Sequence, residues 1–284
     1  MENTRTKTTR NSLILLLTAA IWGMAFVSQS KGMDYMHPFT FNGVRSLIGA
    51  ASILVYILIS RKIAGDKAAP LDWKLNVKAG LLCGIFLTIA STLQQFGIKY
   101  TSVGKAGFIT TLYIIFVPMF GIFLKKKVAP VVWAAAVMAA VGMYLLCMTE
   151  SLRLGAGDIM VFLCAIAFAI QIMTVDHYAA RIDGAVVSCI QFTVCGVVCC
   201  IGALIWGQPT FGQLQEGLGA LLYAGVLSCG VGYTLQIVGQ KGLNPTVAAL
   251  IMSLESVIAT ISGWIAYKIG FLTTDQTLTA RQDR

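Results

Sequence analysis

Charge is what this 284-residue chain has least of: 12% of its residues are Asp, Glu, Lys or Arg, about half the share usual in a soluble domain. So little charge cannot cover a soluble surface of this size. Histidine is nearly missing too, with only His37 and His177, both at the ends of apolar runs and away from any acid or cysteine cluster with metal-ligand spacing. No HExxH, phosphate-binding loop or Ser-His-Asp arrangement occurs. The chain therefore reads as a non-enzyme without cofactor or metal. Its eight cysteines all fall inside apolar runs and none makes a CxxC pair, which favours small buried hydrophobes over metal ligands or disulfides.

What is present is hydrophobic length. Of all residues 57% are hydrophobic, in recurring runs of about 20, the length that crosses a hydrocarbon core of about 30 Å at 1.5 Å per residue. The expected fold is an all-α, polytopic membrane bundle. Nine spans are predicted, at 12–30, 39–60, 76–97, 103–124, 128–148, 158–175, 185–206, 217–239 and 245–267. The first is too long for a signal-peptide core and no clear A-x-A cleavage site follows it. His37-Pro38 marks the start of the second, because a residue before proline is biased away from helix. The net charge of +9 sits in short blocks between apolar runs, not interleaved with aromatics, so it speaks for membrane topology and against nucleic acid. The expected partners are the lipid bilayer and a small-molecule solute.

The stretch 79–123 recurs at 221–265, shifted by 142 positions. Between Thr92 and Gly121 nine of thirty aligned residues are identical, among them Gln94/Gln236, Gly97/Gly239 and Lys99/Lys241. Apolar composition alone would not place Gln, Gly and Lys in one shared frame, so an internal duplication is the better reading. Two repeats are expected, at 12–149 and 155–267, followed by a polar tail, 268–284.

Cations orient the array. The amino-terminal tail and every second gap after it hold thirteen Lys or Arg, and the opposite set holds four: Lys31, Lys99, Lys105 and Arg153. The positive-inside rule then puts the N-terminus in the cytoplasm of a multi-pass protein of the plasma membrane. Five spans per half is an odd number, so the second half is inserted upside down relative to the first. Inverted repeats of this kind bind their ligand near the bilayer midplane, at the repeat interface. The second half supplies only four spans, because the sequence after Ala266 is too polar and short to cross a bilayer. The tenth helix is expected to be missing, through truncation, donation of a helix in trans, or a natural nine-helix form.

The segment AIWGMAF at 20–26, Arg45 in the second span, GKAGFITTLYIIFVP at 104–118 and SLES at 253–256 together resemble the EamA family of the drug/metabolite transporter superfamily. The resemblance runs from the first span to Trp264. It implies a ten-helix bundle of two inverted repeats that moves small metabolites or drugs, often outward, through a central cavity. Ser256 stands where proline commonly follows the family's glutamate, which removes the residue that would break the ninth span.

Glu255 is the one acid deep in a span. A carboxylate there costs about 2.5–3.5 kcal/mol on insertion scales, so it needs a partner, a cavity, a cation or a proton. Binding or proton coupling, and an Arg-paired structural lock, are its two readings. Arg45 lies six residues into the second span and reads first as a snorkelling, lipid-facing anchor, otherwise as a counter-ion to Glu255 or to an anionic solute. Gln94, Gln95 and Gln236 are mid-membrane amides that need partners, either as glue between repeats or as ligand contacts. Trp22, Phe26, Tyr113 and Tyr233 would give a cavity aromatic walls. Tyr113 aligns with Glu255 under the 142-residue shift, so it is the aromatic most expected to face inward.

A secondary transporter exporting a small amphipathic metabolite or drug is the leading functional reading. A non-transporting remnant or interaction subunit is the second. An integral-membrane lipid enzyme is the third, and only the loop with Asp176, His177, Arg181 and Asp183 could serve it.

Overall fold

The computed structural model describes residues 4–65, 70–124 and 155–272, with a few helical positions between 130 and 141. All regular structure among them is helical. Most of the expected fifth span, the lysines at 125–127, and most of the segment between the expected repeats and of the polar tail lie outside the described residues.

Eight described helices are long and apolar enough to cross a membrane: α1 (Thr4–Gly32), α2 (Pro38–Ala64), α3 (Trp73–Ile98), α4 (Val103–Phe123), α5 (Ala156–Tyr178), α6 (Gly184–Gly207), α7 (Leu218–Gln240) and α8 (Pro245–Lys268). They overlap the other eight expected spans, most ends differing by a few residues, while α1 begins eight residues before the expected start. Polar residues set the ends. Pro38 opens α2 at a first-turn position that needs no N–H, Asp72 and Asp183 cap α3 and α6, and Asn244 caps α8 ahead of Pro245. His37 caps α2 by accepting from Phe39 N at 3.3 Å. Burial, and then the charge of Lys99, hold its imidazole below the ordinary value, which keeps an acceptor nitrogen available.

A chain of bonds gathers one set of helix ends on a single face. Asn11, near the start of α1, donates to Lys241 O at 2.7 Å just past α7. Lys241 Nζ reaches Ile182 O at 3.4 Å in the α5–α6 turn, and Asp183 N there donates to Asn76 Oδ1 at 2.9 Å in the first turn of α3. On the opposite face the end of α3 meets the start of α5: a Cβ on Gly97 would lie 2.8 Å from Gly157 O. So α1 leaves the face at which α5 arrives, and the halves run in opposite senses. Lys99 and Lys241, equivalent under the 142-residue shift, end on opposite faces.

The large interfaces join one half to the other, and they come in pairs related by the shift. Helix α3 packs on α5 and α6, as α7 packs on α1 and α2; α2 lies against α6, and α4 against α8. Small residues permit this. A Cβ on Gly84 of α3 would fall 2.9 Å from the Val194 Cβ of α6, too close for any side chain to be added without movement. Since lipid is as apolar as leucine, such close backbone approach is a main source of helix association.

Two departures from regular helix matter for the interior. Helix α4 tightens at Thr111-Leu112 and α8 at Ser253-Leu254, positions also 142 apart. Thr111 Oγ1 bonds Phe108 O at 2.9 Å and Ser253 Oγ bonds Leu250 O at 2.8 Å, the same back-bond on equivalent carbonyls. Hydroxyls that compete for helix carbonyls in this way bend the helix. The break expected to vanish with the family's proline therefore persists, made by Ser253 three residues before Ser256. In α7, Tyr223–Gly232 winds as a wider π-helix rich in glycine. Its repeat partner α3 is regular, so the symmetry is interrupted there, directly ahead of Tyr233 and Gln236.

Candidate functional site

The central cavity lies between the halves, lined by residues of every described span except α6. The tightened turns put Tyr113 and Glu255 at the first positions of the inner segments of α4 and α8. Their side chains meet: the Tyr113 hydroxyl donates to Glu255 Oε1 at 3.0 Å, with both residues buried. Glycine fixes the approach of α1 to this point, because a Cβ on Gly23 would lie 2.8 Å from Glu255 O and 2.6 Å from the Ile258 Cβ.

Around that bond the lining is amide and aromatic. Gln94 donates to Thr110 Oγ1 at 3.2 Å, and Gln236 donates to Gln171 Oε1 at 3.1 Å. Trp22 packs on Tyr233 with ring centroids 4.5 Å apart, and Phe192 meets Tyr233 edge-on at 5.0 Å. Four pairs of lining residues are equivalent under the shift: Phe26/Phe168, Gln29/Gln171, Gln94/Gln236 and Tyr113/Glu255. The cavity thus surrounds the symmetry relation between the halves.

Of the nine residues singled out in the sequence, eight line this cavity: Trp22, Phe26, Arg45, Gln94, Tyr113, Tyr233, Gln236 and Glu255. Gln95 does not. It is fully buried and donates to Gln29 O at 3.1 Å, since one step along a helix turns a side chain by about 100° and sends it to α1. The lipid-facing reading of Arg45 is also corrected. Its side chain is 5% exposed and stands over the Phe41 ring at 5.4 Å, turned inward by α2. No ion pair joins Arg45 to Glu255 among the described residues, so the expected counter-ion pairing is not formed in this conformation. Lining residues passed over in the sequence include Gln29, Gln171, Phe168 and Thr110. Extending the 142-residue shift into the first span would have found the first three, because Ala25, Phe26 and Gln29 fall on Ala167, Phe168 and Gln171.

The cavity holds about 30 Å³, room for about two waters. As it stands the cavity is too small to hold a metabolite. On the face where α3 ends, the Lys105 ammonium contacts Asp158 Oδ2 at 2.6 Å, and Asp158 also accepts from Thr101 Oγ1 and Gly155 N, each at 2.8 Å. On the other face the Asn11–Lys241 and Asn76–Asp183 bonds tie the halves.

A profile of the EamA-like transporter family matches residues 10–148 and 155–275. The chain belongs to the EamA-like transporter family. This EamA-like chain is 30% identical over 171 residues to an uncharacterized transporter of Archaeoglobus fulgidus, an alignment spanning 58% of the chain but 48% of the archaeal protein. The chain thus matches about half the length of that relative. It is 27% identical over 256 residues to the uncharacterized transporter YwfM of Bacillus subtilis, spanning 89% of the chain and 84% of YwfM. A crystal structure at 17% identity superposes with a TM-score of 0.72 over 95% of this chain and 91% of that one, a likeness of fold alone. The EamA-like protein is accordingly a multi-pass membrane protein of a transporter family.

Proposed function

We propose that the protein is a secondary transporter that exports a small amphipathic metabolite or drug across the plasma membrane, its N-terminus in the cytoplasm. The closed cavity between oppositely running halves, walled by Trp22, Phe26, Tyr113 and Tyr233 and edged by Gln94, Gln236, Arg45 and Glu255, is the observation that supports it. Polar groups at mid-depth are costly unless they serve one another or a guest, and this arrangement collects them on one axis. Alternating access follows from the closures at either end: parting the halves at Lys105–Asp158 exposes the cavity to one side, and parting them at Asn11–Lys241 exposes it to the other. Glu255 is the residue proposed to couple movement to protonation or to a cationic group on the solute.

Reconstitution into vesicles tests the reading. Purified protein of known orientation should move members of a labelled metabolite and drug panel faster than protein-free vesicles. Equal rates across the whole panel would refute it.

A further inference from the structure

We propose that the solute of the central cavity carries a compact monoanionic group, a carboxylate foremost, that docks on the Arg45 guanidinium. The proposal takes the cavity from the transport reading but not the movement of solute through it.

Arg45 lines the cavity, is 5% exposed, and its Nε has no hydrogen-bond partner among the described residues. A guanidinium is always charged, and a buried charge with a donor left unpaired is disfavoured. The Phe41 ring beneath it supplies attraction without a counter-charge. Glu255 shares the cavity but is engaged by Tyr113. Two further buried donors on the same lining, Trp22 Nε1 and Gln171 Nε2, are also unpaired. A permanent cation that shares a cavity lining with free N–H groups suits an oxyanion.

The valence follows from what else lines the cavity. Among the described residues Arg45 is the one basic residue on the lining, so a dianion such as a phosphate monoester would leave one charge uncompensated. A carboxylate would not. The unpaired acceptors Gln29 Oε1 and Gln236 Oε1 suit N–H or O–H groups on the rest of the solute, and the aromatic walls suit an apolar body.

Matched acid and amide pairs on the detergent-purified full chain test this: phenylacetate against phenylacetamide, and phenylalanine against phenylalaninamide, read by ligand-induced shift in melting temperature. At least one acid should bind tenfold or more tighter than its amide, Arg45→Gln should erase that preference, and Arg45→Lys should keep part of it. Binding by phenylacetate supports simple acids; binding by phenylalanine alone supports a zwitterion whose ammonium meets the acceptors. Amides that bind as well as acids, an acid preference that survives in Arg45→Gln, or chloride competing as well as the acids would each overturn it. So would binding of no acid by protein that moves other solutes in vesicles, a result that keeps the transport reading. Acid preference without any flux does the reverse.

Discussion

Tyr113 and Glu255 occupy the same position in the two repeats and touch each other, hydroxyl to carboxyl, at 3.0 Å. A contact between equivalent residues can form only where the relation between the halves passes through them. The bond therefore lies where the 142-residue relation between the halves passes, and each half contributes one of its members.

Replacing either partner should report this. Glu255→Gln keeps the shape of the carboxyl and removes its charge and proton. Wild-type flux should vary with pH across a series in proteoliposomes and that of Glu255→Gln should be flat and reduced. Tyr113→Phe should also reduce flux, and the double variant should show a coupling of about 0.5–3 kcal/mol, as contacting residues do. Equal flux in wild type and Glu255→Gln at every pH would remove Glu255 from the mechanism.

The ion pair at the end of α3 gives a second expectation. Asp158 is 3% exposed and Lys105 21%, so Lys105→Ala strands a buried carboxylate with neutral donors alone. A loss of about 1.5–3 kcal/mol in unfolding free energy is expected, the range for hydrogen bonds to charged groups. The double variant Lys105→Ala, Asp158→Asn should recover part of it. A cysteine at Gln94 should also become more reactive from that face in Lys105→Ala, and unchanged reactivity would mean that the pair does not hold the halves together.

Sidedness can be read directly. Single cysteines at Lys99 and Lys241 should label from opposite sides of intact cells with a membrane-impermeant reagent, Lys241 from the cytoplasm. Labelling of both from one side would contradict opposed halves.

Close packing is testable without transport. Gly84→Leu places a branched side chain where even a Cβ would be 2.9 Å from the Val194 Cβ. The cost should be about 1–3 kcal/mol of overpacking, visible as a lower melting temperature in detergent. Gly219→Leu, at a position where a Cβ meets nothing within 4 Å, should melt as wild type does.

Much of this was written in the order of the residues. Eight of the nine expected spans and Glu255 as the deep acid follow from hydropathy, which needs no neighbours to be read. The pairing of Tyr113 with Glu255 was visible as an alignment, though not as a bond. Less legible were Gln29 and Gln171, ordinary amides in apolar runs until their partners are placed. The π segment of α7 left no periodic signal, because a wider turn changes spacing over only two turns. The tightening at Ser253 is not legible in the sequence, because it comes from a hydroxyl back-bond to Leu250 O that an ordinary serine does not announce.

The sequence alone determined that the chain must lie in lipid as helices and roughly where eight of those helices fall. Each of these depends on transfer cost and backbone satisfaction, which accumulate along the chain. Only the tertiary structure decided which way each polar side chain turns: Gln94 into the cavity and Gln95 into α1, Arg45 inward over Phe41 instead of out to the headgroups. Lipid and protein interior are alike in apolarity, so hydropathy records how deep a residue sits and is silent on the direction it faces. That direction comes from the close approaches glycine allows between helices, and those exist only once the helices have met.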